Sequence, residues 1–493
     1  MTVTSEKAVQ DLLIDGTWRK AANAHTYTAH DPFTGEVASR AAAAVPADVV
    51  RAADAAERAF PPWAASPPAE RRRVLWTAAG NIEARAEEIS AAITTEMGGP
   101  AAWGHYNTTA LAEKFRHAAS AVHEGLTGEL IPSEVPGRTS FAVRRPVGVV
   151  ACLIPWNAPA LLVGNSVPYA LAVGDTVVMK AAEQTPRTHG LVAECLIEAG
   201  LPDGVYNLVT NAPEDAPEVV AALIAHQAVR RVHFTGSTRV GRIIAQQAAA
   251  HMKRAILELG GKAPLLVLAD ADLGQAVSAA AFGAFANSGQ GCVSTERIIV
   301  DRTVAEAFAL RLAALAANVT CGDPRDPHTA LGPVVGPAAI TRLSGLVQDA
   351  VVAGARLLAG GTAEGPCFTP TVLADVTPAM RVYREESFGP VAAVVAADGP
   401  EEALRMANDS DYGLSSAIFT RNIPLALDLA RRIDAGMCHI NGTTLDDEPQ
   451  IPFGGVKNSG YGRSGGHAGL EEFTELQWIT IEGPEPPRYP ISE

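Results

Sequence analysis

The sequence predicts an α/β protein with two α/β lobes and a small β arm. Three observations predict it. From Val147 onward, short apolar strands alternate with helical stretches up to about residue 257, the pattern of a doubly wound parallel sheet covered by helices on both faces. After Lys262 a second strand–helix alternation begins. The tail FTELQWITIE at 473–482 alternates as an exposed strand does, and 126–146 reads as a hairpin with a Pro-Gly turn. A chain of 493 residues exceeds what one core organises, so two or three domains are expected.

Taken in order, residues 1–30 read as loop and edge structure around LLIDGTWRK, followed by DPFTGEV. From Pro46 to about Val122 the chain is Ala-rich with helical spacing, as in Val49–Ala59 and Glu70–Thr95. Pro61-Pro62 and Gly98-Gly99-Pro100 punctuate these helices, which are expected to pack on a neighbouring domain. The first lobe then follows: strand VGVVACLIP, a helix over 159–173, strand TVVMKA, a helix over 186–199 and strand VYNLVT. It continues with a helix near 216–226, strand VRRVHFTG and a helix near 239–251. The second lobe holds helices over 273–287, 304–317, 400–407 and 424–435 with strands RIIVD, TVLADV and VAAVVAA.

Composition narrows the function. The chain is 47% hydrophobic and 19% charged, as globular proteins are. A net charge of −15 argues against nucleic acid or an anionic membrane surface as partner. No run approaches the ~18 apolar residues of a membrane helix, and MTVTSEKAVQ lacks the features of a signal peptide. The six cysteines (Cys152, Cys195, Cys292, Cys321, Cys367 and Cys438) are widely spaced without CxxC. Neither a metal site nor a disulfide framework is expected, and a reducing cytoplasm fits. Cys152, Cys195 and Cys438 lie in apolar segments and read as core fillers.

The chemistry-bearing stretch is FANSGQGCVSTER, residues 285–297. Its Gly-Gln-Gly turn leaves the Cys292 thiol uncrowded, so it is a candidate nucleophile if a base and an oxyanion donor stand nearby. Glu258 in LELGGK lies 292 − 258 = 34 residues upstream in an apolar run. Partial burial there would raise its pKa towards that of a general base. Pro155-Trp156-Asn157 ends an apolar strand with an amide able to donate to an oxyanion. Gly236-Ser237-Thr238-Arg239-Val240-Gly241 follows a strand and opens a helix, as a phosphate-binding turn does, yet it matches neither GxGxxG nor a Walker A loop.

Taken together, LELGGKAP, FANSGQGC, IPWN, FTGSTRVG, EESFGP and PFGGVKNSGYGR resemble the aldehyde dehydrogenase superfamily, in its order and across essentially the whole chain. The resemblance implies a Rossmann-type cofactor domain over 1–125 and 147–257, a catalytic domain over 258–465, and an oligomerisation arm over 126–146 and 466–493. It implies NAD as cofactor, bound by Ile154, Pro155, Trp156, Lys180, Glu183, Gly236, Ser237, Gly241, Leu259, Glu386 and Phe388. A carboxylate at Glu183 would bond ribose hydroxyls and repel a 2′-phosphate. Catalysis would fall to Cys292, Glu258 and Asn157. The segments NLVTNAPEDAP and GTTLDDEPQIPFGGVKNSGYGRSGG look like the branch of vanillin, benzaldehyde and salicylaldehyde dehydrogenases. An aromatic substrate would then meet Asn157, Leu161, Val293 and Phe453, with Trp156 as a further wall. Ser464 replaces a glutamate that many members carry, which leaves Glu258 as the deacylating base. Asp446, Asp447 and Glu448 argue against a strongly anionic substrate. The arm implies a homodimer or homotetramer. An aliphatic aldehyde or semialdehyde dehydrogenase is the alternative, and a non-catalytic protein of this fold is a second.

Overall fold

The computed structural model describes residues 9–485 and 489. Its centre is an eight-stranded sheet. In spatial order the strands are Gly460–Tyr461, Arg254–Glu258, Val229–Thr235, Val149–Leu153, Thr176–Lys180, Tyr206–Val209, Leu12–Ile14 and Thr17–Arg19. The middle five run parallel and the additions at both edges are antiparallel. Side chains alternate between faces along a strand. Val150 and Cys152 accordingly join one core, while Val149, Ala151 and Leu153 join the other. The LLIDGTWR segment is a hairpin at the edge of this sheet, in line with the strand–turn and edge structure read from the sequence.

The chain lays strands outward from Val149–Leu153 in one direction, then crosses back to place Val229–Thr235 on its other side. That reversal is the switch point at which doubly wound sheets bind ligands, just beyond the carboxyl ends of the strands. Ile154–Asn157 and Gly236-Ser237 are the residues that follow these two strand ends.

The second sheet has seven strands in the order Arg356–Ala359, Thr371–Ala374, Val391–Ala397, Thr295–Asp301, Ala263–Val267, Ala417–Phe419 and His439–Ile440. All pairings are parallel except that of the first. Cys292 lies three residues before Thr295–Asp301, at the amino end of these strands. The site therefore joins the carboxyl edge of one sheet to the amino edge of the other. Strand Arg254–Glu258 carries Glu258 into the first sheet, and Gly460–Tyr461 pairs with it. Glu258 and the strand Gly460–Tyr461, at the two ends of the second lobe, thus both belong to the first sheet.

Four helices, Pro46–Ala64, Pro68–Ala84, Ala86–Met97 and Ala101–Ser120, share one apolar core with that sheet, so they form no separate module. Two local expectations are corrected. Pro61-Pro62 does not end the first helix, because both prolines sit in its last turn before Ala64. The helix expected over 159–173 is two, Pro159–Val163 and Val167–Val173, parted at Gly164-Asn165-Ser166. The hairpin Gly128–Ile131 with Thr139–Pro146 takes Thr474–Ile481 as a third antiparallel strand, which builds the arm. Among the described residues no helix is long and apolar enough to cross a membrane.

Candidate active site

Backbone geometry makes the cysteine loop. The helix Leu273–Phe285 stops two residues short of the expected 287 because Asn287 and Ser288 turn left-handed, at φ 50° and 55°. Asparagine is among the few non-glycine residues that visit this region readily. Gly289 continues at φ +67°, and a Cβ there would collide with the Gly389 carbonyl oxygen. Only glycine meets both demands. The Gly-Gly of LELGGK has a similar reason. A Cβ on Gly261 would strike the carbonyl oxygen of Cys292, and one on Gly260 would stand 2.7 Å from Glu386 Oε1. These glycines let the glutamate strand, the cysteine loop and the Glu386 loop meet.

Cys292 is half-buried, and Glu258 is 2% exposed. Neither Glu258 carboxyl oxygen has a hydrogen bond of good geometry from the protein. The Cys292 thiol is near enough to lower the carboxyl's pKa, but it is not placed to satisfy it. Burial outweighs the thiol and raises Glu258 to about 8, with Asp447 and Glu386 adding to the rise. The same burial, with the Glu258 charge next in effect, pushes the Cys292 thiol well above its ordinary value. The resting pair holds its protons at neutral pH. The backbone of Glu258 is fixed where the strand ends, since its carbonyl accepts from Gly236 N at 3.0 Å.

Asn157 reaches the same place from the first sheet. Its Nδ2 donates to the Gln290 carbonyl at 3.1 Å, leaving its second amide hydrogen for a ligand. The Cys292 backbone N–H has no acceptor among the described residues. Two residues that the sequence did not single out fix Asn157: Trp103 Nε1 and Asn287 Nδ2 donate to its backbone carbonyl at 3.1 and 3.0 Å. Gln290 is held in turn by Asn287, Pro333 and Val335. Asn287 and Gln290 fall inside the cysteine stretch, whereas nothing in the sequence around Trp103 announced it.

A mostly apolar pocket opens beside Cys292 and Asn157. Leu161, Val293 and Phe453 line it as expected, joined by Trp103, Tyr106, Leu162, Leu445 and Asp447. Trp156 is absent from this lining and packs edge-on against Phe388 instead, ring centroids 5.8 Å apart at 79°. Ser464 is buried, and its Oγ lies 3.1 Å from His233 Nε2.

On the far side of the cysteine lie the other predicted residues. Ser237 caps the helix Thr238–Ala250, accepting from Val240 N. The amides of that helix's first turn have no intrahelical acceptor, so they suit an anion. A Cβ on Gly241 would run into Leu259, so this glycine lets the helix start lie against the Glu258 strand. Lys180 and Glu183 pair with one another beyond the strand Thr176–Lys180, and Asn211 also donates to Glu183. Glu386 accepts from Gly261 N at 2.9 Å, and burial lifts it to about 7. Its loop hangs on a group that sequence reading missed. Glu296, 2% exposed, accepts from Ser387 N and Phe388 N at 2.6 and 2.9 Å and pairs with Lys262 at 2.5 Å. The visible signal was a charged Glu296-Arg297 pair opening a wholly buried strand. The helix start offers free amides for an anion, while the Lys180–Glu183 pair and Glu386 offer polar groups that suit ribose hydroxyls, a set that fits a dinucleotide.

Fold and site together define an oxidoreductase whose cysteine loop meets the carboxyl edge of a doubly wound sheet. The chain belongs to the aldehyde dehydrogenase family, whose profile matches residues 18–479. It is 52% identical over 480 residues to a vanillin dehydrogenase of Pseudomonas fluorescens, covering 97% of this chain and 99% of that one. It is 40% identical to a benzaldehyde dehydrogenase [NAD(+)] of Pseudomonas putida, covering 94% of each chain. The crystal structure of a salicylaldehyde dehydrogenase from Pseudomonas putida G7, complexed with salicylaldehyde, superposes with a TM-score of 0.95. That protein is 44% identical, with 98% of this chain and 99% of that chain covered. As a member of this family the protein uses a nicotinamide cofactor.

Proposed function

We propose that the protein oxidises an aromatic aldehyde to its carboxylic acid, with NAD preferred over NADP. The observation that carries this reading is the apolar pocket that opens on Cys292 and Asn157, walled by Trp103, Leu161, Val293 and Phe453. The names of the relatives at 40–52% identity agree with it.

The chain's own groups perform three tasks. Cys292, its thiol proton released to solvent, bonds through sulfur to the aldehyde carbon, giving a thiohemiacetal that hydride loss to the nicotinamide would convert to a thioester. The Asn157 amide and the Cys292 N–H hold the oxyanion that forms. The bound nicotinamide supplies the hydride acceptor. Glu258 then takes a proton from water as the water oxygen attacks the thioester carbon, and the C–S bond breaks to release the acid and the thiolate. The unmet oxygens of Glu258 are what this last task requires. Glu386, Phe388 and Trp156 hold the nicotinamide end in this reading, while Ile154, Pro155, Gly236, Ser237, Gly241 and Leu259 hold the pyrophosphate turn.

NAD preference rests on reading Glu183 as the family's ribose contact, where a carboxylate would bond the hydroxyls and repel a 2′-phosphate. The arm sheet is assigned to a homodimer or homotetramer, since it leaves Leu130, Leu476, Trp478 and Ile481 exposed. A reducing cytoplasm suits a catalytic thiol and six free cysteines.

NADH formation from benzaldehyde, vanillin, salicylaldehyde, acetaldehyde and succinic semialdehyde, run in parallel with NADP, tests these points. Higher kcat/KM for the aromatic set and for NAD is the expected result. Preference for the aliphatic members overturns the aromatic reading and leaves the family chemistry in place.

A further inference from the structure

The pocket beside Cys292 is chemically two-sided. Cys292 and Asn157 stand at its reacting end, and Tyr106, the half-exposed Asp446 and the buried Asp447 interrupt an otherwise apolar lining elsewhere. The Asp447 side chain is 8% exposed, and its Oδ1 accepts from Lys114 Nζ at 3.0 Å. Lys114 itself is 1% exposed and comes from the helix Ala101–Ser120, 333 residues away in sequence. It reaches Asp447 by passing Gly164, where a Cβ would stand 2.7 Å from Lys114 Cδ. The break between the helices Pro159–Val163 and Val167–Val173 therefore makes room for this lysine.

A buried ion pair adds little net stability compared with apolar side chains of similar size. Its position in the wall of a binding pocket is thus better explained by recognition. Asp447 Oδ2 receives no hydrogen bond from the described residues, yet it is not among the buried polar atoms that lack a partner. It therefore keeps some exposure, and Asp447 is one of the residues that line the pocket.

We infer that Asp447, oriented by Lys114, is a specificity determinant that accepts a hydrogen bond from a hydroxyl group on the ring of the bound aldehyde. The preferred substrates are then hydroxybenzaldehydes. This rests on the aromatic-aldehyde reading. Because Lys114 balances the Asp447 charge, the site suits a neutral O–H donor over a cationic or anionic substituent. A methoxy group of similar size has no hydrogen to donate and leaves the carboxylate desolvated and unmet, which is what makes such sites selective.

The test compares kcat/KM for benzaldehyde, the 2-, 3- and 4-hydroxybenzaldehydes and their methoxy analogues. The wild type is expected to prefer at least one hydroxy compound over its methoxy counterpart by about tenfold or more, as one hydrogen bond to a charged group allows. In Asp447→Leu that ratio should fall by about 10- to 100-fold, mainly through KM. The double variant Lys114→Met, Asp447→Leu removes both charges and keeps the pocket closed, so it reads the same ratio if the single variant folds poorly. A ratio unchanged in the variants, or a wild type indifferent to the hydroxyl, overturns the inference while benzaldehyde turnover keeps the aromatic reading. Absence of turnover with every aromatic aldehyde overturns both.

Discussion

At the scale of single residues, the site is governed by one coupled pair. Burial raises both Cys292 and Glu258; the Glu258 charge further disfavours the thiolate, whereas the nearby thiol lowers the carboxyl's pKa. Glu258 acts as a base only when ionised, so kcat should be low at pH 6 and climb through about pH 8. Glu258→Gln should abolish that climb and give a burst of NADH followed by little turnover, because the thioester forms and is not hydrolysed. A stopped-flow trace with full steady-state rate would remove Glu258 from the role. Cys292→Ala should eliminate NADH formation while binding of NAD, followed by titration calorimetry, stays near wild type.

The same carboxyl has a stability signature. Its folded pKa of about 8 lies above its ordinary value of 4.5. Its contribution is thus fully present below pH 4.5 and is lost as pH rises through 8. Wild type should lose more Tm than Glu258→Gln between pH 5 and pH 9. Equal losses in thermal melts would contradict the raised pKa.

At the scale of elements, loops are fixed by buried charges that belong to neighbouring strands. The Glu386–Phe388 loop hangs from Glu296, which Lys262 keeps paired. Phe388 lies at φ +43°, a conformation that a bulky residue adopts only when its surroundings impose it. Glu296→Gln leaves Lys262 buried without its counter-charge, a change that costs about 3–5 kcal/mol. Lower Tm together with a severalfold higher KM for NAD is expected, and an unchanged KM would show that the loop does not need this anchor. The motif EESFGP was readable in sequence because its residues are contiguous. Its anchor was not, because Glu296 is 91 residues from Ser387 and looks like any charge in a strand.

For the whole molecule, the arm is the feature with consequences beyond one chain. Its last strand pairs with the hairpin in full register, from Thr474 with Pro146 to Ile481 with Thr139. Leu476 and Trp478 are 61% and 69% exposed, an apolar surface that favours association. Leu476→Glu with Trp478→Glu should shift the protein to a smaller species in light scattering, with the eight-stranded sheet intact. An unchanged mass would assign assembly to another surface.

The sequence by itself determined the alternation of strands and helices, the three-strand arm, the cysteine loop and the glycines around it. Each of these is local: a period of two or 3.6, or a backbone angle that few residues adopt. The motifs also marked Cys292, Glu258 and Asn157 before any coordinates. Tertiary structure decided the rest. It placed the cysteine at the amino edge of one sheet against the carboxyl edge of the other, and gave Trp103 to Asn157 and Lys114 to Asp447. It also turned Trp156 from the substrate pocket towards Phe388. These pairings join residues 54 to 333 positions apart, where no periodicity links the partners. Only the packing of two sheets and their helices brings such groups within hydrogen-bonding distance.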